Sequence, residues 1–416
     1  MMSCHIPAFP DRFGHFFRSW RPGRDVRSRR NEISFLTYFA ALRGNSGTRL
    51  RTAICGVAGY NRGDDAIAVA LAEGILARVS DARIDIAVLT AVSLARSPSI
   101  RPFLAARSRP AGLIGMVLAI ARSDLVVLGG GSLIQDRFGG DRVKGVMGYA
   151  WLVSWLAAIM GKRLVTAPLG IDALHSRRAE GVAAEILRRC RQITVRDARS
   201  LTNALALVPG KEPPPRRVPD PAFGLSGMPQ PVADDAPIVL APAFEGEFDD
   251  FVAEVFAQVA IGCAMACDRP IVIVAMDDRQ EQDAGRIGII RSRLPPHVSA
   301  RVTLVVPTDL DEALALLRSS AGIVAMRLHA MILGYGFAPI SCLSRTTKTD
   351  AFMEDYYVPG LPAMLDEDPR TIAARLIDGV MNWRERAQQE RKRQQILEEL
   401  ESYYADLVHG VLAARH

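Results

Sequence analysis

RTAICGVAGYNRGDDAIAVALAEGILARV, residues 51–79, decides how the rest of the chain is read. Its first part, Thr52–Val57, is a short apolar run of the kind found in strands covered on both faces. Its last part, Asp65–Val79, reads as a helix. Between them, Gly59 and Gly63 permit positive φ and close backbone approach. The helix start presents unpaired N–H groups to an anion. Asp64 and Asp65 stand there, where a carboxylate serves as a cap as readily as it serves chemistry. The spacing is neither that of a dinucleotide fingerprint nor that of a Walker loop, so neither kind of nucleotide binding follows. Strand, glycine turn and helix together open a doubly wound α/β domain.

The same alternation continues outward. Ile84–Leu89, Leu125–Leu128, Arg163–Ala167 and Gln192–Val195 read as strands, and Val143–Met160 and Arg177–Arg189 as helices. Prolines then crowd residues 213–236, and because proline fixes φ and removes a donor, this segment reads as a linker. A second α/β series follows. Its expected strands are Ile238–Ala241, Ile271–Ala275, Val302–Val305, Ile323–Ala325 and Pro339–Leu343. Its expected helices include Asp249–Cys267 and Leu310–Ser319, the latter started by Pro307-Thr308-Asp309. From Pro369 the chain reads as a long helix or helix pair, with Arg384–Gln395 densely charged and solvated. The expected organisation is an arm over 1–48, a Rossmann-like domain over 49–212, a linker over 213–236, a second Rossmann-like domain over 237–368 and C-terminal helices over 369–416.

The 416 residues carry 51 Lys+Arg against 45 Asp+Glu, a formal charge of +6. Residues 1–51 hold ten Arg and three acids, which is +7, so the remaining body sums to −1. A neutral body without interleaved basic and aromatic residues excludes a nucleic-acid partner. The arm, with Phe13, Phe16, Phe17 and Trp20, suits a disordered tail or contact with anionic lipid. No apolar segment with a cleavage site marks a secretory signal. The six cysteines (Cys4, Cys55, Cys190, Cys263, Cys267, Cys342) are scattered and form no metal pattern, so reduced thiols in a cytoplasmic protein are expected. The uncharged run Gly145–Gly161 is short for a membrane span. It reads as a buried helix, with peripheral membrane contact left open.

Three further motifs carry polar groups. Leu128-Gly129-Gly130-Gly131-Ser132 follows a strand, where glycine amides can cradle a phosphate or carboxylate or simply turn a corner. Arg196-Asp197 follows another strand and reads as an anion site or a salt bridge. Arg327-Leu328-His329 opens an apolar helix. Its Arg can fork onto an anion, and its His can exchange a proton near neutral pH.

Taken in order, GYNRGDDAI, VVLGGGSLIQD, VRDARS, VPDPAF and RLHAMI resemble the polysaccharide pyruvyl transferase family over roughly residues 51–360. The resemblance implies a GT-B-like pair of Rossmann domains. It also implies transfer from phosphoenolpyruvate to a sugar diol of an exopolysaccharide or its lipid-linked repeat unit, giving a pyruvate ketal and phosphate. By that resemblance Arg327 holds the phosphoenolpyruvate anion and His329 is the general acid. Gly129–Ser132 offer amides and a hydroxyl, and Asp64 or Asp65 handles the sugar hydroxyl proton. Lys348, Arg196, Gly59 and Asn61 complete the expected substrate contacts. The chemistry needs no metal and no cofactor beyond the donor. Ser344–Thr347 stands where the family commonly shows Tyr-Asp-Pro before a Lys, and Lys348 is retained. The inner face of the membrane and a homo-oligomer are left open. Two other readings remain: a nucleotide-sugar glycosyltransferase of the same architecture, and a degenerate scaffold of polysaccharide assembly.

Overall fold

The computed structural model describes residues 49–413 apart from 91–93, 95, 106–109, 138, 226–231, 245 and 364–365. The basic arm of residues 1–48, including Cys4, lies outside the described residues.

The first half runs β1 (Arg51–Ala58), α1 (Arg62–Leu76), β2 (Arg83–Val88), β3 (Ile100–Leu104), α2 (Pro110–Arg122) and β4 (Leu125–Leu128). It continues with α3 (Gly145–Ile159), β5 (Arg163–Thr166), α4 (Arg177–Arg189), β6 (Thr194–Val195) and α5 (Ala198–Leu207). The sheet order is β3-β2-β1-β4-β5, all parallel. Isolated bridges Val165↔Gln192 and Leu169↔Val195 continue it toward β6. The central strands are apolar because helices cover both faces. Ile54, Ile67, Leu71 and Ile84 are fully buried, each stabilising by about 1.5–3 kcal/mol relative to exposure.

The sequence pattern marks neither the strand β3 nor the helix α2. IRPFL carries Arg101 and Pro102 in its middle, a composition tolerated only on the sheet edge where β3 lies. PAGLIGMVLAIAR is apolar all round, so no polar face marks it as a helix.

The segment 213–236 is part of the fold rather than a free linker. β7 (Arg216–Arg217) pairs with β6, and a 3-10 turn at Pro221–Leu225 buries Ala222, Phe223 and Leu225. Phe223 packs on Tyr335, Phe352 and Tyr356 at centroid distances of 5.6, 6.3 and 5.0 Å.

The second half runs β8 (Ile238–Ala241), α6 (Asp249–Ala266), β9 (Ile271–Val274), α7 (Asp283–Ser292), α8 (Pro296–Ser299), β10 (Val302–Val305) and α9 (Leu310–Arg318). It ends with β11 (Gly322–Ala325), α10 (Leu328–Gly334), β12 (Ile340–Ser344), α11 (Thr347–Tyr356) and β13 (Gly360–Pro362). Its parallel sheet is ordered β10-β9-β8-β11-β12-β13. Asp309 caps α9 by accepting from the Glu312 amide at 2.9 Å, the start signal expected there. The C-terminal helix pair is α12 (Pro369–Met381) and α13 (Arg386–Leu412). The long α13 returns to the first half, where Tyr404 donates to the Ala70 carbonyl at 3.0 Å and Arg216 pairs with Asp406 at 2.9 Å.

Both sheets change winding direction between their central strands, at β1/β4 and at β8/β11. Ligand crevices in such sheets open at the carboxyl ends of those strands. The five described cysteines are free, and four of them are buried. Among the described residues no helix is long and apolar enough to cross a membrane, and no cluster of side chains could hold a metal ion.

Candidate active site

The turn after β1 is pinned before it can present anything. Asn61 caps α1 by accepting from the Gly63 amide at 2.8 Å. The capping role considered for Asp64 or Asp65 therefore falls to Asn61, which spends its carbonyl oxygen inside the fold. Arg62 is buried and joins the two halves. Its guanidinium bonds Asp65 at 2.6 Å, Asp278 at 2.7 Å and the Pro307 carbonyl at 3.2 Å, while its amide donates to Met276 at 2.9 Å. Asp65 also accepts from the Gly59 amide at 2.7 Å. Both carboxylate oxygens of Asp65 are thus taken, and the side chain is buried.

Asp64 has a different setting. It keeps partial exposure, and it faces the glycine turn after β4. Gly129, Gly130 and Gly131 have φ of +116, +102 and +73°, a left-handed run that side-chain-bearing residues rarely adopt. A Cβ on Gly131 would stand 2.6 Å from Asp64 Oδ1. The three glycines let the turn press against α1. Burial pushes the Asp64 carboxyl up to about 6; His329 opposes this first, Asp65 adds to it, and Lys348 and Arg196 also oppose it.

His329 enters from the second half. It is the second residue of α10, and its ring lies directly over Gly63, where any Cβ would overlap it. Its Nε2 is 3.5 Å from Asp220 Oδ2, at the outer limit of a hydrogen bond, and neither atom has a shorter partner. Asp220 comes from the VPDPAF segment; its Oδ1 accepts from the Ala222 amide at 3.0 Å. Burial would raise the Asp220 carboxyl, but His329, Arg196 and that amide outweigh it and hold the group below its ordinary value. Arg196, also buried, lies 3.6 Å from Asp220 and donates to Ser132 Oγ at 3.0 Å. Its partner in sequence, Asp197, is 3.7 Å away and caps α5 through the Ser200 amide.

The structure therefore brings Asp64, Gly131, Ser132, Arg196 and His329 to one place. Lys348, on the first turn of α11, acts on Asp64 and Asp172 through its charge. The unusual Ser344–Thr347 stretch builds the start of that helix: Thr346 and Thr349 cap each other, and Ser344 Oγ lies 2.6 Å from Thr349 Oγ1.

Arg327 is already paired. It precedes α10, and two of its nitrogens bond the fully buried Asp283 at 2.8 and 2.5 Å. Residues two apart at a helix start do not face each other. Arg327 and His329, expected to act on one anion, here face different partners.

Three carboxylates were missed in the sequence. Asp220 lies in VPDPAF, where the flanking prolines read only as a linker. Asp172, raised by burial against Lys348 and Arg196, follows a strand end at which no motif was read. Asp283 carries no local mark, since its partner is 44 residues away.

A profile of the family described as polysaccharide pyruvyl transferase matches residues 61–338. No curated protein sequence matches the chain. Among solved structures, a UDP-GlcNAc 2-epimerase from Neisseria meningitidis bound to UDP-GlcNAc superposes with TM-score 0.56 at 10% identity, covering 86% of this chain and 100% of that one. A glycosyltransferase from Rickettsia africae superposes with TM-score 0.55 at 10% identity, covering 88% and 99%. At such identities the likeness establishes the GT-B-like fold alone.

Proposed function

This chain belongs to the polysaccharide pyruvyl transferase family, and we propose that it moves a pyruvyl group from phosphoenolpyruvate onto two hydroxyls of one glycan acceptor. The acceptor is a sugar of an exopolysaccharide or of its lipid-linked repeat unit. The observation that carries the reading is the meeting of Asp64, Ser132, Arg196, Asp220 and His329, drawn from five separate segments of both halves.

The chemistry then assigns roles. His329 gives a proton to the methylene carbon of phosphoenolpyruvate, which leaves its second carbon electrophilic. A sugar hydroxyl attacks that carbon and Asp64 accepts the hydroxyl proton, for which a carboxyl raised to about 6 is suited. Phosphate leaves, and the second hydroxyl closes the ketal. One hydroxyl proton in effect replaces the proton spent on the methyl group, and the other leaves with phosphate. Arg196, Arg327 and Lys348 supply positive charge toward the carboxylate and phosphate of the donor. Asp220 touches no substrate atom in this scheme; it lies against the His329 ring and positions it. Proton transfer and charge stabilisation suffice, so the scheme calls for no metal or nicotinamide.

The test is incubation with phosphoenolpyruvate and a panel of glycans, reading released phosphate and the ketal methyl signal by NMR. Binding of a nucleotide diphosphate sugar, with no uptake of phosphoenolpyruvate, would favour the glycosyltransferase reading instead.

A further inference from the structure

The outer face of α2 and α3 has no part in the cleft. The inner sides of these helices are spent on the sheet, where Met116, Ile120, Met147, Ala150 and Val153 join one core. Their outer sides remain apolar. Leu113 is 38% exposed, Ile114 44%, Trp155 40% and Ile159 58%, and Val143, just before α3, is 73% exposed.

Within the segments that build this face, every charge is a cation. Residues 110–122 and 142–162 contain Arg122, Arg142, Lys144 and Lys162 and no acid. Trp151 stacks on Trp155 with centroids 6.2 Å apart, and the guanidiniums of Arg142 and Arg189 lie 5.8 and 5.4 Å from the Trp151 ring. Two neighbouring acids are already engaged. Glu185 accepts from Arg142 and from Trp151 Nε1, and these bonds hold its carboxyl at about 2. Asp141 is turned onto the amides of Val143 and Lys144 at 2.7 and 2.6 Å.

We propose that this face docks the protein on an anionic lipid bilayer. Aliphatic and indole side chains with a rim of Lys and Arg are the composition of an interfacial element, in which the apolar part enters the headgroup boundary and the cations meet anionic lipid. At 15 residues, α3 is too short to span. Other occupants fit the charge poorly. A second copy placed face to face would set cations against cations. Residues 1–48, with eight Arg and three acids, would meet the same repulsion. The inference is independent of the chemistry assigned to the cleft.

The experiment is co-sedimentation of the full chain with vesicles of phosphatidylcholine, alone or mixed with an equal part of phosphatidylglycerol. Binding is expected on the anionic vesicles only, weakening as salt rises. Trp155→Ser with Ile159→Ser should lower the partition constant by about tenfold. Lys144→Glu with Lys162→Glu, which leaves the apolar packing intact, should lower it by about the same factor. Equal binding by parent and charge-reversed protein would overturn the proposal. So would binding indifferent to lipid charge, or a parent that ignores vesicles and self-associates through Trp155.

Discussion

The two halves of the molecule use the same topological device in opposite ways. In the first half, the turns after β1 and β4 meet as glycines around a partly exposed carboxylate, Asp64. In the second half, the segments after β9 and β11 are tied by ion pairs: Arg327 on Asp283, and Arg279 on Asp277 at 2.8 Å. One switch point is open and electrically unfinished, and the other is closed. A sheet reversal makes a crevice in both; the side chains decide whether it stays available. The second half contributes mainly His329, carried across on α10 to the first half's side.

This contrast can be broken experimentally, and the largest effect should come from His329. Replacement by Ala should lower ketal formation by about 10²–10⁴-fold, the usual worth of a general acid, with the melting temperature nearly unchanged. Turnover equal to the parent would end the assignment.

The neighbouring carboxylates should separate next. Asp65→Asn leaves Arg62 buried with a weakened partner, and breaking such a pair costs about 3–5 kcal/mol. Its denaturation midpoint should fall sharply. Asp64→Asn should fold at least as stably as the parent and lose about a hundredfold in turnover. Equal stability losses in the two variants would erase the distinction between an open and a closed carboxylate.

Asp283→Asn addresses the closed side. Removing the charge that fixes Arg327 should raise KM for phosphoenolpyruvate by about tenfold while changing kcat little. An unchanged KM would make the pair purely structural.

The smallest effect is on stability against pH. Asp64 has its folded value raised from 3.8 to about 6, so the folded state binds this proton more tightly than the unfolded state. Its contribution to stability therefore declines as pH rises through that window and is fully lost above it. Asp64→Asn should remove that slope, as read by denaturant unfolding across the window. Turnover in the parent should fall as pH drops below about 6 and the base becomes protonated.

Much of this arrangement was legible because strands and turns are local. Leu125–Leu128 is four apolar residues before three glycines, and the chain has few other ways to use such a run. Helix α2 escaped because it lacks a polar face, and β3 because Arg101 and Pro102 hide its pattern. At the site, the motifs GDD, GGGS and RLH were visible, but their meeting was not. Which of two adjacent aspartates stays open depends on Arg62, and the orientation of Arg327 depends on Asp283. Such partners are fixed by packing across the chain and leave no trace in spacing. Asp220 shows the same limit: proline marks a turn, while its carboxylate gains meaning only opposite His329.

The most direct test is a crystal structure of the protein soaked with phosphoenolpyruvate. The donor should lie between the glycine turn of residues 129–131 and the His329 ring, with its methylene carbon toward that ring and its anionic groups toward Arg196, Arg327 or Lys348. Donor bound away from His329, or a nucleotide sugar occupying that place while phosphoenolpyruvate leaves it empty, would contradict it.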